Sequence, residues 1–327
     1  MKPLVSICCI TYNQEQYIEQ TIKSFLAQKT TFDFEIIIHD DASSDKTQEI
    51  IKKYAKMYPH KIIPILQKEN QYSKGINVNI AYTYPKARGK YIALCEGDDY
   101  WCDENKLQKQ VVVFENNQNC TFCFSNGYSF NQKTGKIIPF LPREKGEEAV
   151  SSFSHFMNLR ENLEYSFIPT ASFMFRRETL ECLPKEFQID CPTGDLKTRL
   201  FMIGKNEAYY CKDKMVVYRE NTPGSVMASW KNVSRKKTYD NFKSIVDMLE
   251  RIDKYTEYEY SNAIKVYEMP YRKAMLLNTK SIFDLFQREN RIVYEKCQLK
   301  DKLKIVIKLM IPDVLYNLLK NNKVVKL

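Results

Sequence analysis

The sequence predicts an α/β fold on a mainly parallel central sheet flanked by helices, followed by a helical C-terminal region. Three observations point there. Short apolar runs alternate with stretches of 3.6-type apolar spacing from Val5 to Ser125. Two of those runs close in acidic clusters, where a parallel sheet places its ligand. Beyond Trp230 the pattern turns mostly helical, with few turn signals before Pro312. The expected division is a first domain over 1–228 and a basic helical region over 229–327.

Val5 to Ile10 is the first strand run. Asn13 can cap a helix whose apolar positions are Ile18, Ile22, Phe25 and Leu26. Phe34 to Ile38 is the second strand, ended by His39-Asp40-Asp41. Ser44 or Asp45 caps the next helix, which carries Ile50, Ile51, Tyr54 and Met57. Ile62 to Leu66 is a third strand, and Ile76 to Tyr84 reads as a helix. Tyr91 to Cys95 is the fourth strand, closed by Glu96-Gly97-Asp98-Asp99. A helix over Asn105 to Glu115 and a strand over Cys120 to Ser125 follow. Gln132 to Glu148 is loop-rich. Further on, Thr170 to Phe175 reads as a strand and Asp195 to Ile203 as a helix. Tyr209-Tyr210 and Met215 to Tyr218 read as two short strands. Alternation at this spacing implies βαβ units with right-handed crossovers.

Composition narrows the chemistry. The 327 residues include only nine glycines, and none are spaced G-x-G. That excludes the glycine-rich dinucleotide and phosphate-loop motifs. The N-terminal apolar stretch is short and reads as a buried strand, not a signal peptide. No run is long enough to span a bilayer. The ten cysteines are therefore expected as reduced thiols in a cytoplasm. Cys120 and Cys123 lack the second ligand pair that a zinc site needs and read as strand thiols. His39 reads as a strand-end packing residue. Arg176-Arg177 reads as a solvated charge pair without a role.

The clusters Asp40-Asp41 and Glu96-Gly97-Asp98-Asp99 each hold like charges close together, which is unfavourable without a cation or a set of donors. One reading is a metal-bridged diphosphate site, because hard cations take carboxylate and phosphate oxygens. The other is a pair of solvated caps at helix starts.

Three blocks in order carry a resemblance. They are Val5-Ser6-Ile7 leading to Thr11-Tyr12-Asn13, then Asp40-Asp41-Ala42-Ser43-Ser44-Asp45-Lys46-Thr47, then Gly89-Lys90-Tyr91-Ile92-Ala93 running into Glu96-Gly97-Asp98-Asp99-Tyr100-Trp101. The set resembles family 2 glycosyltransferases of the GT-A fold over about the first 225 residues. The Glu-Gly-Asp-Asp-Tyr-Trp form is similar to a bacterial subgroup that builds surface polysaccharides.

The resemblance implies a nucleotide-diphosphate sugar donor, with uridine favoured by family habit. It implies an inverting transfer and an Mn²⁺ or Mg²⁺ cofactor. Ile10 and Thr11, with Tyr12 beside them, would give backbone contacts to the base, and Asp41 would meet the base edge. Glu96, standing where the family has Asp, would face the ribose. Asp98 would bind the metal, with Asp99 supporting it. Asp195, at a helix N-terminus that stabilises its charge, would be the general base, ionised at rest. On capping frequency alone, Asp195 also reads as a plain N-cap. Asn221 stands where the family has His, removing an imidazole from the diphosphate side. Tyr100 and Trp101 follow the acidic motif, so either they line the sugar site or Trp101 packs in the core beneath it. Thr170-Ala171-Ser172 falls where the family places small residues near the donor sugar.

The acceptor implied is a glycan or a lipid-linked saccharide. Two other readings stand beside the enzyme: a nucleotidyltransferase-like protein, and a non-catalytic nucleotide-sugar or glycan binder. Of the formal net charge of +10, nearly all lies in 231–327, which holds 21 Lys+Arg against 12 Asp+Glu. The rest holds 29 against 28, which argues against a nucleic-acid partner. Lys302 to Ile311 is apolar and lysine-edged, and Leu315, Leu318 and Leu319 extend the stripe toward Lys320, Lys323 and Lys326. This segment suits either an anionic membrane surface or a helix packed on the first domain. A peripheral position on the inner face of the plasma membrane is the matching expectation.

Overall fold

The computed structural model describes residues 2–143, 151–165, 167–188, 191–222 and 233–310. Its contacts divide the chain into two compact units, Met1–Asp190 with Asp195–Ser225, and Cys191–Gly194 with Val226–Leu327. The expected boundary at 228/229 lies outside the described residues, as do Trp230 and the stretch from Leu315 to Lys326.

The first unit holds one mixed sheet. Its strands are β1 (Val5–Thr11), β2 (Phe34–Asp40), β3 (Ile62–Leu66), β4 (Tyr91–Glu96), β5 (Tyr100–Trp101), β6 (Cys120–Asn131), β7 (Ile137–Pro139), β8 (His155–Met157), β9 (Met174–Arg176) and β10 (Glu207–Glu220). The order is β3-β2-β1-β4-β9-β6-β10-β5, with β7 on β6 and β8 on β10. β3, β2, β1 and β4 pair in parallel. β9 runs antiparallel to both β4 and β6, and β10 runs parallel to β6. Strands β2 and β3 lie to one side of β1, and β4 lies to the other. The order therefore reverses between β1 and β4, and such a switch point opens a ligand crevice at the carboxyl ends.

Helices α1 (Ile18–Leu26), α2 (Thr47–Met57) and α3 (Lys106–Asn116) follow β1, β2 and β5. The buried face of α1 is Ile18, Thr21, Ile22 and Phe25, the spacing that its sequence predicts. These residues pack with Val5, Ile7, Cys9, Ile36, Ile38, Ala93, Trp101 and Leu107 in the core. Beyond β8 come the short α4 (Leu159–Asn162) and then α5 (Gly194–Ile203).

Four local expectations are corrected. Asn13 does not cap α1; it takes a left-handed φ of 52°, and its Oδ1 accepts the Ser44 amide at 2.8 Å. Residues 76–84 form no α-helix but a π turn, Asn79–Thr83, passing into a 3₁₀ turn, Tyr84–Lys86. Pro85 has no N–H to extend the ladder, and Asn79 Oδ1 draws the Thr83 hydroxyl at 2.8 Å. Thr170–Ser172 is a 3₁₀ turn and only Met174–Arg176 is a strand, because the Ser172 amide and hydroxyl both turn back to the Pro169 carbonyl. The two short strands near Tyr209 and Val217 are one strand, β10, with register shifts between Cys211 and Val216.

Arg176 is a further correction. It is buried, not solvated. Its guanidinium donates to the carbonyls of Cys120, Phe114 and Asn117 at 2.8, 2.6 and 3.0 Å. It thus satisfies carbonyls at the end of α3 that no helical amide reaches. Cys120 and Cys123 are buried thiols, and none of the ten cysteines is joined in a disulfide. His39 is buried, stacked on Tyr82 with centroids 5.1 Å apart, as a packing residue should be.

The second unit carries α6 (Arg235–Tyr255), α7 (Ser261–Leu276), α8 (Arg288–Lys296) and α9 (Leu299–Met310). Leu276, Val293 and Ile305 form one apolar cluster beside Met269 and Leu309, and Met248, Leu249, Ile252 and Ile264 are buried as well. Buried Arg272 ties it together, donating to Glu268 at 2.8 Å, Asn290 at 3.0 Å and Glu250 at 2.5 Å. Among the described residues no helix is long and apolar enough to cross a membrane.

Candidate active site

The carboxyl ends of β1, β2 and β4 gather most of the residues singled out above. The register sets Ile10 opposite both His39 and Glu96, and Thr11 opposite Asp40. The ends of three adjacent strands therefore line up in one row. Gly97 closes the turn after β4 against β1, its amide donating to the Ile10 carbonyl at 2.9 Å. A Cβ there would sit 2.7 Å from the Thr11 Cβ, so only glycine fits this approach. Tyr12 is exposed at the mouth.

The β2 end is held by its own hydrogen bonds. Asp40 accepts from the Ser43 amide at 3.0 Å and Gln48 Nε2 at 2.6 Å. Asp41 is buried, and its two oxygens take the amides of Gln71 and Tyr72 at 2.8 and 2.9 Å. Its amide donates to the Thr11 carbonyl at 3.0 Å, so Asp41 ties the 70–72 loop to the end of β1. Asp45 accepts from the amides of Thr47 and Glu15, each at 3.0 Å, which joins the start of α2 to the loop after β1.

The β4 end is acidic and recessed. Burial, then the charge of Asp98, pushes Glu96 up to about 8, opposed by a hydrogen bond from the Thr170 side chain; the charge of Asp195 adds to the rise. Burial also raises Asp98, while Thr222, Arg219 and Gln14 pull it down. Thr222 Oγ1 donates to Asp98 Oδ2 at 3.0 Å. Asp99 turns inward: its Oδ1 accepts the Arg219 amide at 2.8 Å, and its carbonyl accepts the Thr21 hydroxyl at 2.6 Å. Burial and the charges of Asp98 and Glu96 raise Asp99 well above the carboxylate range.

Arg219 braces this turn. Its guanidinium donates to the Asp98 carbonyl and to Gln20 Oε1, and lies 4.7 Å from the Tyr100 ring centroid. Trp101 takes the core alternative. It is buried against Phe25, and its Nε1 donates to the Ala171 carbonyl at 2.9 Å.

Asp195, the second residue of α5, is near enough to the β4 cluster for its charge to act on Glu96. Burial raises its own pKa, and this outweighs the Leu196 amide and the Arg199 charge that favour the ionised form. Burial thus outweighs the helix N-terminus, on which the sequence reading relies to keep Asp195 ionised at rest. Asn221 has a left-handed φ of 61°, which Asn tolerates well, and is exposed. Its successor Thr222, not Asn221, reaches Asp98. Sequence reasoning missed Thr222, Arg219, Gln14 and Thr21. Tyr218-Arg219, shortly before the Asn221 that stands in the family's His place, was the available signal, since it falls on β10, the strand that enters the site.

The donor set suits a hard divalent cation completed by other ligands. Three recessed carboxyl groups repel one another, and a cation would relieve that. Among the described residues no group of three His, Cys, Asp or Glu could hold a metal alone. Substrate phosphate oxygens and water would have to complete its shell, the usual habit of Mg²⁺.

The sequence profile described as "Glycosyl transferase family 2" matches residues 6–183. TuaG of Bacillus subtilis (strain 168), named for teichuronic acid biosynthesis, is 30% identical over 249 residues, covering 75% of this chain and 89% of its own. An uncharacterized Mycobacterium tuberculosis protein, Rv1520, is 39% identical over 174 residues, 53% of this chain; the match spans about half its length, 47%. Among solved structures, Staphylococcus aureus TarS 1–349 in complex with UDP-GlcNAc superposes with a TM-score of 0.60 at 16% identity, covering 93% of this chain and 89% of that one. Mannosyltransferase PcManGT from Pyrobaculum calidifontis, in complex with GDP-Man and Mn²⁺, gives 0.53 at 14% identity, covering 95% and 88%. At those identities the likeness is one of fold, and the GT-A type architecture is shared. By profile and by sequence, the chain belongs to glycosyl transferase family 2.

Proposed function

We propose that the chain is a metal-dependent, inverting glycosyltransferase that moves a sugar from a nucleotide-diphosphate donor, a UDP-sugar by preference, to a hydroxyl of a glycan or lipid-linked acceptor. One observation carries the reading: Glu96 closes β4 beside the β1/β4 switch point, and the charges of both Asp98 and Asp195 act on it. UDP-GlcNAc in TarS, and GDP-Man with Mn²⁺ in PcManGT, support a nucleotide sugar and a divalent cation here.

The residues divide the work. Ile10, Thr11 and Tyr12 offer main-chain groups to the base, and Asp41 holds the 70–72 loop beside them while keeping lone pairs for the base edge. Glu96 offers acceptor oxygens to the ribose. Asp98 ligates the cation, with Thr222 fixing its carboxylate and Asp99 and Arg219 fixing the turn that carries it. A bound Mn²⁺ or Mg²⁺ would stabilise the negative charge that develops on the diphosphate as it leaves. Asp195 takes the acceptor hydroxyl's proton as that oxygen attacks the anomeric carbon. Its raised pKa makes it a better base than a surface carboxylate, at the cost of a smaller ionised fraction at low pH.

The test separates binding from transfer. Asp195→Asn should bind donor with wild-type affinity by calorimetry and lose at least about a hundredfold in turnover. Normal turnover in that variant would remove Asp195 from the base role. Tight donor binding by the wild-type chain with no acceptor glycosylated would favour a non-catalytic binder.

A further inference from the structure

Helix α9 presents two opposite faces, and the outward one is apolar. Asp301, Ile305 and Lys308 are its buried residues. Leu299, Leu303, Val306, Ile307 and Met310 are all exposed, Leu299 by 72% and Met310 by 80%. At 3.6 residues per turn these five fall within one arc about 100° wide. Lys302 borders the arc on one side, and Lys300 and Lys304 border it on the other. The helix's one acid, Asp301, is turned inward and paired with Lys273 at 2.7 Å. The outward face is therefore a lysine-flanked apolar stripe without negative charge.

We propose that this face docks on the headgroup layer of an anionic phospholipid bilayer. The apolar side chains would enter the acyl boundary, and the flanking lysines would reach the lipid phosphates along their methylene stems. Charge selects this occupant over a second copy of the chain. A two-fold pairing of the face with itself would bring lysine rows together, whereas anionic lipid neutralises them. The interior of the unit does not need the stripe, because Ile305 on the other face already joins Leu276 and Val293 in the core. The inference goes beyond the donor chemistry and stands or falls without it.

The experiment is vesicle co-sedimentation of the full chain, with no nucleotide sugar present. The probes are vesicles of phosphatidylcholine alone and of phosphatidylcholine with phosphatidylglycerol. The wild-type chain should sediment with the anionic vesicles, weakly or not at all with the neutral ones, and less as salt is raised. The double variant Leu303→Glu/Ile307→Glu should lose at least about tenfold in apparent affinity. Lys300→Glu/Lys302→Glu should lose a comparable amount, and more of its salt dependence. Lys300, Leu303 and Ile307 are exposed, and Lys302 is half-buried with its ammonium 5.7 Å from the Tyr294 ring centroid, so the melting temperature and circular dichroism serve as controls for folding. Three results would overturn the proposal: no sedimentation of the wild-type chain, equal sedimentation of the Leu303/Ile307 variant, or a concentration-dependent dimer that this variant abolishes without changing vesicle binding. The last would assign the face to self-association.

Discussion

Replacing Gly97 by alanine tests whether the acidic turn depends on its close approach to β1. The added Cβ would lie 2.5 Å from Gln14 Oε1, 2.6 Å from Thr11 Oγ1 and 2.7 Å from Thr11 Cβ. Gln14 can swing its amide aside. Thr11 cannot, because β1 is paired on both sides and its carbonyl holds the Asp41 amide. Ordinary contact begins near 3.4 Å, so the turn from Glu96 to Asp98 must lift by roughly 0.7 Å. Overpacking of this kind costs about 1–3 kcal/mol of stability. A displacement approaching 1 Å at the reacting groups costs about a hundredfold in rate. The assay is turnover measured by nucleotide release, with donor affinity by calorimetry and the melting temperature alongside. Gly97→Ala should fold, melt lower and lose most of its turnover. A variant with wild-type turnover and affinity would refute the claim that this contact sets the position of Asp98.

Three further outcomes follow from particular contacts. Glu35 is buried and takes the Ser6 hydroxyl at 2.6 Å, the Arg88 amide at 2.8 Å and the guanidinium of the exposed Arg88 at 2.6 Å; Glu35→Ala leaves the buried Ser6 hydroxyl without its acceptor and should cost about 1–3 kcal/mol in urea unfolding, and an unchanged stability would contradict this. Burial lowers Lys106 to about 8, although its ammonium donates to Gln110 at 2.8 Å and lies 4.2 Å from the Trp101 ring. Below pH 8 the folded chain bears the full cost of that buried charge, about 3 kcal/mol. Between about 8 and 10.5 the unfolded chain binds the extra proton, so stability rises with pH. Lys106→Met should remove that rise, and a wild-type-minus-variant difference flat across the window would oppose it. Thr222→Val leaves Asp98 without its hydroxyl donor; donor affinity should fall about three- to tenfold with stability nearly unchanged, and unaltered affinity would rule out this support.

The parts legible in the sequence are those that local physics fixes. β1, β2 and β4 announce themselves as apolar runs, and their acidic ends mark the carboxyl edge of the sheet. The long-range parts were not legible. Thr222 and Arg219 reach the turn after β4 because β10 pairs with β5, the strand that follows that turn, as well as with β6, and no local pattern encodes those pairings. Arg176 was misread because hydropathy marks an Arg-Arg pair as surface; its burial follows from the orphan carbonyls at the end of α3. The break at 79–86 was misread because the apolar period continues through Asn79 and Pro85 while the backbone ladder does not. Trp101 was balanced between two readings, and the packing of Phe25 with the Ala171 carbonyl decided it for the core.

The central proposal is that Asp98 would hold a divalent cation on which donor binding depends. Calorimetric titration of UDP-GlcNAc into the wild-type chain and Asp98→Asn, each with Mn²⁺ and after chelation, tests it most directly. Mn²⁺ should strengthen donor binding by at least about tenfold in the wild-type chain and have little effect in the variant. Equal donor affinity with and without the cation in the wild-type chain, or an equal Mn²⁺ gain in Asp98→Asn, would contradict it.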